Sequence, residues 1–165
     1  MGTLADLSSQ ELIVPTLRGP GADSAIAELS EALESAGRVP DARTLVEAVH
    51  QREALSSTAC SPGWAVPHAR MPGLLHFSLA VGRSDVPLIW FGAAEPVRLV
   101  FLFAVPEVGS GIYLSAVSAL ARLSQDSGRA GQLLRARDRA SIFNLLAEVP
   151  LRSPRSVLRP LAVAR

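Results

Sequence analysis

The residues best equipped for chemistry sit together at Val66-Pro67-His68-Ala69-Arg70. Proline fixes the approach of the chain just before an ionisable imidazole, and an arginine follows two residues later. Near neutral pH an imidazole offers an unprotonated, nucleophilic nitrogen. It can therefore accept a phosphoryl group and, as phosphohistidine, pass it onward. Such transfer depends on alignment and on neutralising the equatorial oxygens, work suited to guanidinium forks and backbone N–H groups. Arg52, Arg70, Thr58 and the small, polar loop 56–63, which contains Ser57 and Gly63, are the candidates nearby in sequence. The plain alternative is a capped or solvent-facing loop histidine, and the residues alone leave both open.

The elements that must position this segment are legible to different degrees. Ser8 with Glu11 resembles a capping box, and Leu12, Ile13 and Val14 stop at Pro15, which predicts a short turn and a short strand. From Asp23, Ile26, Leu29, Ser30 and Leu33 recur at helical spacing, with Gly37 as the stop. Pro40-Asp41 starts a second helix, with Leu45, Val46 and Val49 as its buried stripe, running to about Leu55. Loop 56–63 then feeds a short strand from Trp64 that ends at His68. Three strands follow: the alternating Leu75, Phe77, Leu79 and Val81; the apolar run from Leu88 to Phe91; and a central one from Val97 to Val105. After Pro106, the residues Ile112, Leu114, Val117, Leu120, Ala121 and Leu123 suit a helix. Asp138 begins a last one that buries Ile142, Phe143, Leu145 and Leu146. Helices on both faces of a largely buried sheet give an α/β, three-layer domain, and the short strand connections predict a mixed sheet.

Composition narrows the function classes. The chain has 165 residues, 48% of them hydrophobic, enough for one compact core. No stretch approaches the roughly 20 apolar residues needed to span a bilayer, and no signal-peptide pattern opens the chain, so a cytoplasmic protein without membrane insertion is expected. Cys60 is the only cysteine, which excludes an internal disulfide and gives no thiolate cluster for zinc; no metal and no cofactor are expected. A formal charge of +1 speaks against a nucleic-acid surface, although all sixteen cationic residues are arginine. Residues 1–150 are expected to form the domain, and 151–165, rich in arginine and proline, a flexible tail.

Other residues have plainer readings. His76 suits a strand start, His50 a helix surface, Glu107 an exposed carboxylate after a strand, Cys60 a small packing residue, and Trp64 and Trp90 core or site walls.

Resemblance sharpens the choice. Arg52-Glu53 with Ser57-Thr58, then Gly63-Trp64-Ala65-Val66-Pro67-His68-Ala69-Arg70, resembles the signature of type-2 enzyme IIA domains of the bacterial sugar phosphotransferase system, the fructose, mannitol and nitrogen-regulatory (PtsN-like) family. The run from Pro96 to Pro106 resembles their central strand, and Tyr113-Leu114 their next helix. The resemblance implies the mannitol-type enzyme IIA fold, a phosphotransferase/anion transport protein fold. It implies that His68 takes phosphate from the phosphohistidine of the carrier HPr or its nitrogen-branch relative. From His68 the phosphate goes to an enzyme IIB cysteine or serves as a regulatory mark. Arg52 would clamp the phosphoryl oxygens, with Ser57, Thr58, Gly63 and Arg70 as further phosphate contacts.

Two departures bear on this. The family carries a second histidine where this chain has Tyr113, whose hydroxyl can donate a hydrogen bond but supplies no titratable cation at neutral pH. Family glycines near Ala59 and Ser61 are absent, and Pro62 has no N–H to offer. The alternative is thus a regulatory binding module with weak or no phosphotransfer.

Overall fold

The computed structural model describes residues 2–109 and 111–153. Its centre is β6 (Val97–Pro106), whose near-continuous apolar run is explained by cover on both faces. Along one edge β5 (Ser78–Leu88) pairs antiparallel, Leu79 opposite Phe103 and Val81 opposite Phe101. Along the other edge two short strands follow one another, both parallel to β6. These are β3 (Trp64–Ala65), with Trp64 opposite Leu99, and β4 (His68–Met71), with His68 opposite Phe103. A parallel β1 (Ile13–Val14) extends the sheet beyond β5, and an antiparallel β2 (Ala59–Cys60) extends it beyond β3. The sheet is mixed, as expected.

Alternation along β6 divides the core into two. Leu99, Phe101, Phe103 and Val105 point into one cluster with α3 (Gly111–Gln125), α4 (Ser127–Arg135) and α5 (Arg139–Ala147). Val100, Leu102 and Ala104 point into the other, against α1 (Ala22–Ser35) and α2 (Ala42–Leu55). Each fully buried Leu or Phe contributes roughly 1.5–3 kcal/mol, so β6 adds to both cores at once. The three-layer α/β arrangement is the one expected.

Helix starts follow their caps. The carboxylates of Asp41, Asp126 and Asp138 accept the amides of Thr44, Arg129 and Ser141 at 3.0, 3.1 and 2.8 Å, each such cap being worth about 1 kcal/mol. At the opening of the chain the box forms not at Ser8 and Glu11 but at Thr3 and Asp6, ahead of two 3-10 turns, Leu4–Leu7 and Gln10–Leu12.

Several expectations are corrected. The run from Leu88 to Phe91 is no separate strand: β5 reaches Leu88, and Ile89 makes only an isolated bridge to Gly21. Leu75 is 87% exposed in the loop before β5. On α3, Ile112 and Leu114 are 51% and 54% exposed, and the inward stripe is Ala116, Ala119, Leu120 and Leu123. No clear sequence pattern marks helix α4, since Gly128 and Gly131 weaken it and the helix buries only Ala130 and Leu133. It is held from the sheet side by Arg83, 2% exposed, whose Nε donates to the Leu134 carbonyl at 2.5 Å. The same guanidinium donates to the Pro15 carbonyl at 3.2 Å and to Asp85 at 2.7 Å.

The Leu151 amide donates to the Gly2 carbonyl at 2.8 Å, and its side chain packs on the core. Residues 152 and 153 are exposed, and the rest of the expected tail, 154–165, lies outside the described residues. No helix among the described residues is long and apolar enough to cross a membrane.

Candidate functional site

His68 stands where the sheet changes strands. The sequence predicts one strand running from Trp64 to the histidine. Instead β3 ends at Ala65, and β4 starts at His68 after Pro67, which lacks the N–H a ladder needs. The Pro67 carbonyl still accepts the Phe103 amide at 3.0 Å, so His68 enters its strand with its backbone fixed on both sides. Its half-buried ring faces a cavity of about 350 Å³ whose walls include Arg52, Thr58, Cys60, Trp64 and Tyr113. That volume exceeds what one phosphoryl group needs.

The ring's tautomer follows from its partners. Nδ1 lies 3.0 Å from the Val66 carbonyl oxygen, which can only accept, so Nδ1 carries the proton and donates it. Nε2 then presents a lone pair, and the Tyr113 hydroxyl, 3.2 Å away, donates to it. Burial, first, and then the charges of Arg52 and Arg70 lower the His68 pKa, against an opposing pull from the Val66 hydrogen bond and from Glu53. The neutral, nucleophilic ring is the favoured form. Burial likewise raises the Tyr113 pKa, so the phenol keeps the proton it donates.

Arg52 lies in the last turn of α2, where its charge suits the helix C-terminus, and its Nη1 donates to the Ser56 carbonyl at 3.0 Å. It lines the cavity and acts on both the His68 ring and the Tyr113 phenol. Arg70, two residues along β4, is exposed and donates to the Glu107 carbonyl at 3.3 Å. It is outside the cavity wall, although its charge reaches the same two rings.

The loop candidates divide. Ser57 lines the cavity, its hydroxyl oxygen accepts the Ala59 amide at 3.2 Å, and its O–H proton remains a possible donor. Thr58 also lines the cavity, but its hydroxyl donates to Glu53 and accepts from the Val66 amide at 3.2 Å. Gly63 lies away from the cavity, and its amide donates to the Cys60 carbonyl at 3.1 Å. Its φ is +88°, and a Cβ there would stand 2.4 Å from the Pro96 carbonyl oxygen, so the backbone itself requires glycine.

Cys60 is exposed at the rim, yet partial burial of its thiol, with Glu95 nearby, raises its pKa and keeps it protonated. His76 is exposed in the loop before β5, and His50 faces Asp23 at 3.8 Å on α2. In the sequence Glu53 stands out only as part of the motif. A carboxylate in the last turn of a helix opposes the macrodipole, and that mismatch was the available signal that it serves a partner beyond the helix.

Residues 6–149 match the family described as phosphoenolpyruvate-dependent sugar phosphotransferase system, EIIA 2. A nitrogen regulatory protein of Bradyrhizobium diazoefficiens is 34% identical over 149 residues, covering 89% of this chain and 96% of that protein. A fructose-specific EIIA component of Haloferax volcanii is 31% identical, covering 77% of this chain and 83% of that one. The fructose-specific EIIABC component of Bacillus subtilis is 28% identical, and the chain matches 23% of its length. Among solved structures, the nitrogen regulatory protein IIA-Ntr of Neisseria meningitidis superposes with a TM-score of 0.79 at 24% identity, covering 87% of this chain and 98% of that one. The mannitol IIA of Escherichia coli does so with a TM-score of 0.71 at 20% identity, covering 84% and 98%. Extended family similarity and a shared fold agree: the chain belongs to the EIIA type 2 family of the phosphoenolpyruvate-dependent sugar phosphotransferase system.

Proposed function

We propose that this protein is a cytoplasmic phosphoryl carrier that accepts phosphate on Nε2 of His68 from the phosphohistidine of HPr or its nitrogen-branch relative. It then passes the group to an enzyme IIB cysteine or holds it as a regulatory mark. The observation that carries this is the placement of His68, whose Nδ1 lies 3.0 Å from the Val66 carbonyl oxygen and whose ring lines a cavity beside the Arg52 guanidinium.

In the transfer the P–N bond of the donor breaks as a P–N bond to Nε2 forms. No proton need leave Nε2, and the donor ring departs as neutral imidazole when its other nitrogen carries a proton. Arg52 balances charge on the equatorial oxygens, and Tyr113 turns its O–H from Nε2 to a phosphoryl oxygen. Ser57 can add a donor. A complex of mannitol IIA with phosphorylated IIB from Escherichia coli is among the structures of similar fold, which supports an enzyme IIB as recipient.

The test is to incubate the protein with phosphorylated HPr and follow acid-labile, base-stable label. Label on the wild type and none on His68→Ala is expected; no label, or label persisting in that variant, overturns the reading.

A second reading, a regulatory module with weak or no transfer, is favoured by one observation: the Tyr113 hydroxyl caps the acceptor lone pair and supplies no cation. Nitrogen regulatory relatives are consistent with it. Here the phosphorylation rate itself decides, and Tyr113 is the residue to change.

A further inference from the structure

We propose that Glu53 is a positioning residue for His68: its carboxylate orients Thr58, Thr58 holds Val66, and the Val66 carbonyl keeps the ring proton on Nδ1, leaving Nε2 open. The functional consequence rests on the phosphoryl-carrier reading; the geometry does not.

Glu53 is half-buried near the end of α2, and both its oxygens are used by one residue. Oε2 accepts the Thr58 amide at 3.1 Å, and Oε1 accepts the Thr58 hydroxyl. A carboxylate only accepts, so the Thr58 hydroxyl must give its proton to Glu53 and offer a lone pair in the other direction. That lone pair meets the Val66 amide at 3.2 Å, which also points at the Thr58 carbonyl at 3.3 Å. One charge at the end of the chain thus sets the direction of every bond up to Val66.

Val66 lies in the gap between β3 and β4, so its carbonyl has no ladder partner and is free to turn to Nδ1 of His68 at 3.0 Å. Without the Glu53 anchor, Thr58 can rotate its hydroxyl, and Val66 is held by the Thr58 carbonyl alone. The ring can then take the other tautomer, with its proton on the nitrogen that must receive phosphate. The negative charge of Glu53 also works against the burial and the arginines that lower the His68 pKa.

The test reads the ring directly, by long-range proton–nitrogen correlation spectra of His68 in the unphosphorylated protein, together with the rate of phosphate uptake from phosphorylated HPr. Wild type and Thr58→Ser should show Nε2 unprotonated. Glu53→Ala and Thr58→Val should shift the ring toward mixed tautomers and slow uptake by ten- to a hundredfold, roughly the range for losing a partner that orients an active imidazole. Glu47→Ala, which removes an exposed carboxylate paired with Arg43 on the same helix, should change neither. Wild-type ring signals in Glu53→Ala overturn the proposal, whatever the rate. If that variant does not fold, Glu53→Gln, of equal volume, decides by the same signals. If the wild type takes up no phosphate, the carrier reading fails while the tautomer measurement still judges Glu53.

Discussion

The phenolic oxygen of Tyr113 stands 3.2 Å from Nε2 of His68, with the two rings 5.1 Å apart and tilted by 43°. Tyr113 is placed there by the start of α3, and its ring also meets Phe103 edge-on at 6.3 Å. The phenol is therefore fixed by packing, while its hydroxyl is free to choose between the lone pair of the resting ring and an oxygen of an incoming phosphoryl group.

Tyr113→Phe should slow phosphorylation of His68 about tenfold, the cost of one hydrogen bond to a charged group. Tyr113→His should raise the rate above wild type, because an imidazolium adds charge the phenol lacks. Rapid-quench labelling with phosphorylated HPr checks both. A Tyr113→His variant no faster than wild type would mean that the phenol already serves transfer fully.

Arg52→Gln should lower the rate of phosphorylation by roughly two orders of magnitude, as for loss of a preorganised electrostatic contact in a transition state. Arg52→Lys should fall between, keeping the charge without the fork. The same substitution to glutamine removes one influence that lowers the His68 pKa, so a titration of the ring should move upward.

Phosphate uptake should hold its rate as the pH falls through 6.5, the ordinary imidazole value, and decline only on reaching the lower folded pKa set mainly by burial. Stability has the same sign. The unfolded ring takes a proton first, so the fold loses stability as pH falls from 6.5 toward the folded value, and loses no more below it. A pH–rate profile and denaturation at matched pH values measure the two. An acid limb centred at or above 6.5 contradicts this.

Phe101→Ala should destabilise the protein by about 3–5 kcal/mol and Leu102→Ala by about 2–5 kcal/mol. Both side chains are fully buried, on opposite faces of β6. Phe101 also packs at 4.8 Å against Trp64, a wall of the site cavity, so its loss should slow phosphate uptake as well. Urea unfolding and a labelling assay on the folded variants separate the two effects; equal uptake rates in both would show that the cavity wall does not depend on this contact.

Local pattern was enough for α1, α2 and β6. Their stripes, caps and apolar runs repeat at a period that one buried face, or two, imposes directly. Pro67-His68 with a following arginine was legible as a reactive segment for the same local reason, since ring chemistry and backbone restriction belong to the residues themselves. The pattern misled on α3, where Ile112 and Leu114 look like core but stand exposed, and Ala116, Ala119, Leu120 and Leu123 supply the inward face. It was silent on α4, whose anchor is the guanidinium of Arg83, forty-four or more positions away in the chain.

The site divides in the same way. Residue types alone gave an imidazole and nearby guanidiniums, but not which ring nitrogen is free. That choice belongs to a carbonyl in a strand gap and to a phenol from a helix 45 residues on. Only the packed structure could link Glu53 and Thr58 to Val66 and set Val66 and Tyr113 against one ring, because a tautomer is decided by hydrogen-bond partners in space.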